Sequence, residues 1–243
     1  MAYTDIDKPS DYFNTKLYTG TGSTLNITGV GFQPDLVWTK GRDSTAEGVM
    51  DHALVDSVRG VTKTLRSNTT AVEGTETNSL TTFGSDGYTV GANGKFNYSS
   101  SDIYVSWNWK AGTSFTNDAS STGIGTIDST GSVNTDAGFS IISYTGTGSN
   151  GTVAHGLGVA PNLMLIKARS VGNTWGVYHS STGNTGALFL DDTSAFSSSS
   201  TYWNNTSPTS SVFTISTNTK VNQSSATYIA YCFAEKQGYS KFG

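Results

Sequence analysis

The sequence predicts an all-β protein made of two tandem, homologous β-sandwich domains of jelly-roll-like type. Three observations carry this. The hexapeptide YTGTGS occurs at residues 18–23 and again at residues 144–149. Charged residues make up 13% of the chain and aromatic residues 12%, with Ser, Thr, Asn and Gly filling the remainder, a profile of weakly charged β proteins and not of disordered chains, which lack aromatics and carry high net charge. Apolar runs are short, alternate with a period of two and are separated by turn residues every 8–12 positions, as sandwiches require.

In chain order, residues 1–11 read as an arm outside the repeat, residues 12–112 as the first sandwich, residues 113–137 as a Ser/Thr/Gly-rich linker with room for a strand or two, and residues 138–243 as the second sandwich. The repeat extends well past the hexapeptide. ITGVGFQPDLVWTKGRD, from Ile27, lies over VAHGLGVAPNLMLIKARS, from Val153, pairing Gly29 with Gly156, Pro34 with Pro161 and Lys40 with Lys167. Farther on, Asn93, Lys95 and Asn97 pair with Asn218, Lys220 and Asn222, and YVSWNW from Tyr104 pairs with YIAYCF from Tyr228. The offset stays near roughly 125 residues, too long for a solenoid repeat and right for a duplicated domain.

Within each copy, LVWTK from Leu36 and LMLIK from Leu163 are apolar runs behind a proline and read as strands. IYVSWNWK places Ile103, Val105, Trp107 and Trp109 on one face, and YIAYCFA places Ile229, Tyr231 and Phe233 on the equivalent one; both are expected to face a core, with Trp38. Trp175 is assigned to neither core nor surface. AEGVMDHALVDSV, from Ala46, has a period near 3.6 but valines that leave a strand equally open.

No reactive site stands out. Gly146, Gly148 and Gly151 spell G-x-G-x-x-G, but a dinucleotide site needs a helix after that loop and TVAHGLGVAP cannot form one, so these are expected to be turn glycines. His52, His155 and His179 lack metal-ligand spacing. DHALVDSVRG, from Asp51, gathers the residue types of a hydrolase triad without a nucleophile elbow or oxyanion loop. Asp191 and Asp192 read as a solvated turn ahead of a calcium loop. Cys232 sits in an apolar run and is expected to be a buried, inert thiol. The Asn-x-Ser/Thr triplets at Asn26, Asn68, Asn97, Asn150 and Asn222 carry no functional weight. No metal or cofactor is expected, and no catalytic residue is nominated.

The candidate binding residues are Tyr202, Trp203, Asn204 and Asn205, in a polar stretch of the second copy without a counterpart in the first. An aromatic face beside amides could stack on a sugar or grip a partner, while a strand in which Tyr202 or Trp203 caps the core is an equally open reading. A net charge of −4 with scattered basic residues argues against nucleic acid. No apolar run is long enough to span a bilayer, and MAYTDIDKPSDYF places acidic residues where a secretory leader needs positive ones, so synthesis in a host cytoplasm without secretion is expected.

The blocks YTGTGS, ITGVGFQPDLVWTKGRD, DSVRGVTKTLRSNTTA, LTTFGSDGYTVG and VSWNWKAG, with VAHGLGVAPNLMLIK and CFAEKQGYSKFG later in the chain, resemble the repeat of uncharacterised structural proteins of tailed, mostly marine bacteriophages, which are virion or tail-fibre-like proteins. The resemblance covers nearly the whole chain and brings no catalytic residues with it. It implies a non-enzymatic, multi-copy structural protein on the virion surface, decorating the capsid or projecting from the tail. Its partners would be other virion proteins. The alternative is a carbohydrate-binding adhesin that recognises host surface glycans.

Overall fold

The computed structural model describes residues 4–43 and 51–243. The chain is predominantly β, with antiparallel sheets and three one-turn α-helices among the described residues. It divides into two compact units. The N-terminal unit holds residues 8–43, 51–68 and 73–112, and the C-terminal unit holds residues 4–7, 69–72 and 113–243.

The N-terminal unit runs through β1 (Phe13–Thr19), β2 (Leu25–Ile27), β3 (Leu36–Asp43), β4 (Ala53–Asp56), β5 (Lys63–Thr64), β6 (Gly74–Thr75), β7 (Leu80–Gly84), β8 (Gly87–Val90), the helix α1 (Gly94–Asn97) and β9 (Ile103–Trp109). One sheet has the order β1-β9-β3-β4, a second the order β2-β8-β7, and β5 pairs with β6. A single buried cluster joins the first two: Val37, Ala53 and Val55 from one, Ile27, Leu80, Tyr88 and Val90 from the other, and Phe96 from α1. Burying such side chains contributes about 1.5–3 kcal/mol each, which gives this small unit its stability without a disulfide.

The C-terminal unit contains β10 (Thr113–Asn117), α2 (Ala119–Thr122), β11 (Ser129–Asn134), β12 (Phe139–Thr145), β13 (Gly151–Ala154), β14 (Leu163–Ala168), β15 (Gly176–His179), β16 (Gly186–Phe189), β17 (Ser197–Ser198), β18 (Val212–Ile215), α3 (Thr219–Asn222) and β19 (Thr227–Phe233). Its large sheet has the order β10-β11-β12-β19-β14-β15-β16-β17, and β13 pairs with β18. The core of this unit gathers Ile142, Tyr144, Met164 and Ile166 of the large sheet with Val153, Phe213 and Ile215 of the small one. The run β12-β19-β14-β15 repeats the order β1-β9-β3-β4, and the pair β13-β18 repeats β2-β8.

Several residues sit otherwise than their sequence pattern predicts. In β9 the most buried side chains are Tyr104, Ser106 and Asn108, while Ile103, Trp107 and Trp109 are half-buried on the opposite face. In β19 both faces are buried: Tyr228, Ala230 and Cys232 enter the cluster between the two sheets, and Ile229 and Tyr231, expected in a core, are fully buried on the other face. In β9 the alternation holds but the more buried face is the other one, where Tyr104 buries its ring and donates its hydroxyl to the Gly94 carbonyl of α1, as Tyr228 does to the Thr219 carbonyl of α3. Trp38 is half-buried as well, its Nε1 donating to Nδ1 of His52 at 2.9 Å. Trp175 is fully buried and stacks on Tyr231 with ring centroids 6.2 Å apart. Of the stretch beginning at Ala46, residues 46–50 lie outside the described residues, and the remainder forms the strand β4 and a turn. Residues 113–137, read as a linker, supply β10, α2 and β11 at one edge of the large sheet. From the N-terminal arm, Asp5 donates its N–H to the carbonyl of Gln237 at 3.0 Å and its carboxylate accepts from the Gln237 N–H at 3.2 Å, so residues 4–7 seat on the C-terminal unit itself.

Candidate functional site

The repeated hexapeptide is held in each unit by an asparagine at the end of a one-turn helix. Asn97 accepts from the N–H groups of Thr21 at 2.5 Å and Gly22 at 3.2 Å and donates to the carbonyl of Ser23. Asn222 accepts from Thr147 N–H at 2.7 Å and donates to the carbonyls of Ser149 at 2.6 Å and Ser216 at 2.7 Å. The helices α1 and α3 that present these amides are capped by Asn93 and Asn218, whose side chains accept from the N–H of Lys95 and Lys220. Beneath each turn two tyrosines stack: Tyr18 on Tyr104 and Tyr144 on Tyr228, both with centroids 5.2 Å apart. Their hydroxyls reach helix carbonyls, Tyr18 to Phe96 at 2.9 Å and Tyr144 to Val221 at 2.7 Å.

This cradle accounts for the glycines. A Cβ on Gly20 would meet the Ser99 carbonyl oxygen at 2.5 Å and one on Gly146 the Gln223 carbonyl oxygen at 2.3 Å, so no side chain fits either position. The loop amides point at an asparagine side chain, and Gly151 opens the strand β13, which leaves no helix terminus for a pyrophosphate. Asn97 and Asn222 are fully buried, which removes both triplets from any glycosylation reading.

The titratable residues singled out in the sequence fall into separate local networks. In the Asp51 stretch, His52 accepts from Trp38, Ser57 donates to Asp35 at 2.8 Å, and Asp56 pairs with the buried Arg59 at 2.5 Å. Arg59 also reaches Glu73 at 3.1 Å and the carbonyls of Leu54 and Lys63, both at 2.9 Å. Ser57 and His52 therefore serve different partners and form no nucleophile–base pair. His155 is fully buried; its Nδ1 accepts from Leu157 N–H at 3.2 Å, leaving the proton on Nε2 to donate to the Thr209 carbonyl at 3.1 Å. Burial pushes its pKa down to about 4. His179 accepts from Ser181 N–H in a turn.

Asp191 accepts from Trp175 N–H at 3.0 Å while Asp192 accepts from Ser194, so the neighbouring carboxylates diverge. Among the described residues no group of three or more His, Cys, Asp or Glu side chains is placed to hold a metal ion. Cys232 is buried between the sheets, and desolvation pushes its thiol up to about 12. Lys167, a residue without an assigned role in the sequence, is fully buried; its Nζ donates to the Thr70 carbonyl at 3.1 Å and to that of Asn173, and burial lowers its pKa to about 8.

The four candidate binding residues separate. Tyr202 and Trp203 are 4% and 1% exposed. Trp203 donates its Nε1 to the Gly186 carbonyl at 2.8 Å and meets Tyr178 edge-on. The aromatic face is therefore core and offers no stacking platform, the physical reason being that the indole completes the cluster between the two sheets. Asn204 and Asn205 are exposed, in left-handed backbone conformations with φ of 52° and 49° that mark a turn.

A polar groove of about 270 Å³ lies instead at the β10–β11–β12 end of the large sheet. Thr116, Thr130 and Ser143 form a row across it, since Thr116 pairs with Thr130 and Thr130 with Ser143, while Thr145 sits opposite Thr227. Asp118 and Asp128 stand at its rim. Asp118 caps α2, and the hydroxyls of Ser120 and Ser121 hold its carboxyl below the usual carboxylate range. Asp128 accepts from Ala119 N–H at 2.9 Å, and Arg169 donates to the Ser143 hydroxyl at 3.3 Å. The groove thus presents hydroxyls and carboxylates, groups that can hydrogen-bond a polar ligand. The sequence hid it because most of the lining comes from the stretch read as a linker.

A family model matches residues 8–243 and so spans both units. The chain belongs to the DUF7483 family, a domain of unknown function. No curated protein and no solved structure matches this DUF7483 chain. No helix among its described residues is long and apolar enough to cross a membrane.

Proposed function

We propose that the chain is a tandem pair of one jelly-roll-like β-sandwich and serves as a non-enzymatic structural protein on the surface of a phage particle, decorating the capsid or projecting from the tail. The observation that carries this reading is the doubled scaffold. In the N-terminal unit the first strand, β1, pairs with the last, β9, and the second, β2, with the second last, β8. In the C-terminal unit β12 pairs with β19 and β13 with β18 in the same way. Pairing of outer strands with outer and inner with inner in this way supports the jelly-roll-like reading. The polar side chains that recur in both units, Asn97 with Asn222 and Tyr104 with Tyr228, are engaged in holding turns. Duplication of a scaffold together with its turn supports serves a protein that acts by presenting surfaces, and the resemblance of the sequence blocks to virion proteins gives those surfaces a setting.

Its partners in this reading are other virion proteins, bound by shape-complementary docking. About 800 Å² buried per partner is enough for a stable contact, and many symmetric copies supply avidity. Mass spectrometry of gradient-purified particles tests it: the chain present in many copies per particle supports the reading, and its absence from particles overturns it.

The groove at Asp118 and Asp128 favours a second reading, a glycan-binding adhesin of the same particle. On that reading the hydroxyl row contacts a sugar, and Thr116→Val with Thr130→Val abolishes binding on a glycan array without changing the unfolding midpoint. Unchanged glycan binding in that double variant would remove the groove from the account.

A further inference from the structure

The two units differ at one sheet edge. In the C-terminal unit β12 is covered by β11 and then by β10. Its counterpart in the N-terminal unit, β1, ends its sheet: it pairs with β9 on one side and, among the described residues, has no strand on the other. The opposite edge of that sheet is not open in the same way, since Leu54 of β4 bridges to Leu65.

Local chemistry shows which groups the open edge presents. Thr15 N–H points away from β9 and is taken up by the side-chain oxygen of Asn14 at 3.0 Å, in an exposed position. By the period of a strand, Phe13 and Leu17 direct their N–H and C=O groups the same way. Thr15, Leu17 and Thr19 are exposed, and Leu17, at 62%, is the most exposed of the large hydrophobic side chains described. The strand FNTKLYT carries no proline, and its pairing with β9 runs from Phe13 to Thr19 without a bulge; Lys16 is its one charge. It is thus a long, regular edge with little of the protection that edges commonly carry.

We propose that two copies of this chain join through β1, antiparallel, with Thr15 on the two-fold axis, making one continuous sheet across the pair. The register comes from the sequence of the strand. With Thr15 opposite the second copy's Thr15, each Phe13 faces the other copy's Leu17, so two apolar cross-strand pairs flank a threonine pair, and Lys16 lies opposite Asn14. All the outward-pointing backbone groups of Phe13, Thr15 and Leu17 then find partners. Of the two neighbouring registers with the same hydrogen-bond phase, one centres on Lys16 and sets two ammonium groups opposite each other, which is destabilising, and the other centres on Asn14, sets Phe13 opposite Thr15 and Leu17 opposite Asp11, and so loses both apolar pairs. A shift by one residue mismatches the hydrogen-bonding groups and the faces. A self-complementary strand is what a closed two-fold contact requires. The occupant is therefore a second copy, and the C-terminal unit already shows the same kind of edge covered by a strand. This pairing depends on the fold alone and is independent of the virion reading.

Sedimentation equilibrium of the full chain over a range of concentrations reads the association, and cysteine pairing reads the register. Residues directly opposite in a hydrogen-bonded antiparallel pair lie about 5.5 Å apart at Cα, within disulfide reach, and Cys232 is buried and supplies no competing thiol. The expected result is a doubling of mass with concentration, a covalent dimer from Thr15→Cys under a mild copper–phenanthroline oxidant, and loss of the dimer in Leu17→Lys. Leu17 is exposed, so Leu17→Lys keeps the wild-type monomer's circular dichroism and unfolding midpoint. A chain that stays monomeric at all concentrations, or a Lys16→Cys variant that crosslinks while Thr15→Cys does not, overturns the proposal.

Discussion

Asn222→Ala tests most sharply the reading that the repeated asparagine is a structural device and no part of a reactive loop. The side chain makes three hydrogen bonds, at 2.7 Å to Thr147 N–H, 2.6 Å to the Ser149 carbonyl and 2.7 Å to the Ser216 carbonyl. Thr147 and Ser149 are exposed and recover water once the amide is gone, so each loses about 1 kcal/mol of net hydrogen bonding. The Ser216 carbonyl belongs to a residue only 5% exposed and stays dry, costing about 1–3 kcal/mol. The expected loss is about 3–5 kcal/mol, which at a urea slope of about 2 kcal/mol/M moves the midpoint of the C-terminal unit down by roughly 2 M. Asn97→Ala is expected to act alike in the N-terminal unit through Thr21, Gly22 and Ser23. Thr135→Ala, at an exposed turn position, serves as the control and stays within about 0.5 kcal/mol. Urea titration followed by tryptophan fluorescence reads all three. Asparagine variants with midpoints equal to that of Thr135→Ala would refute the reasoning.

Further predictions concern buried groups. His155 has its pKa lowered to about 4, below the free value of 6.5, so between those pH values the unfolded chain binds a proton that the folded chain does not. Stability is therefore unaffected above about 6.5 and falls as pH drops toward 4, by about 3 kcal/mol in all; the difference between wild type and His155→Gln in pH-dependent urea unfolding should show this slope. Lys167 has its pKa lowered from 10.5 to about 8, so its contribution to stability rises as pH increases through that window, and Lys167→Met should lack the rise. Trp203→Ala should destabilise the C-terminal unit by about 3–5 kcal/mol through cavity formation, where an exposed binding residue would change stability by about 0.5 kcal/mol or less. Cys232, buried and with its thiol pushed up to about 12, should react with a thiol reagent only after unfolding.

Much of the fold was legible because it repeats. The pairing of Tyr18 with Tyr144, Asn97 with Asn222 and Lys40 with Lys167 was visible as letters, and strand order recurs around those positions. Which face of β9 is the more buried was not legible, since alternation fixes two faces without naming the inner one, and Ser106 and Asn108 look like surface residues until Asn108 is seen bonding the Asn14 carbonyl at 3.0 Å. Trp203 misled for a related reason: its polar neighbours lie in a turn, while its own indole points inward. The groove was hidden because Thr116 and Thr130 meet only through pairing in space. Lys167 gave no signal, because a lysine in a strand usually points to water and this one bonds carbonyls inside the unit.

The central proposal assigns the chain to a phage particle, and the measurement that bears most directly on it is a cryo-EM map of purified particles of that phage. The account predicts density on the particle surface, on capsid facets or at the tail, into which both repeats trace with their stacked tyrosine pairs and asparagine-held turns. A complete map with no density for the chain would contradict it.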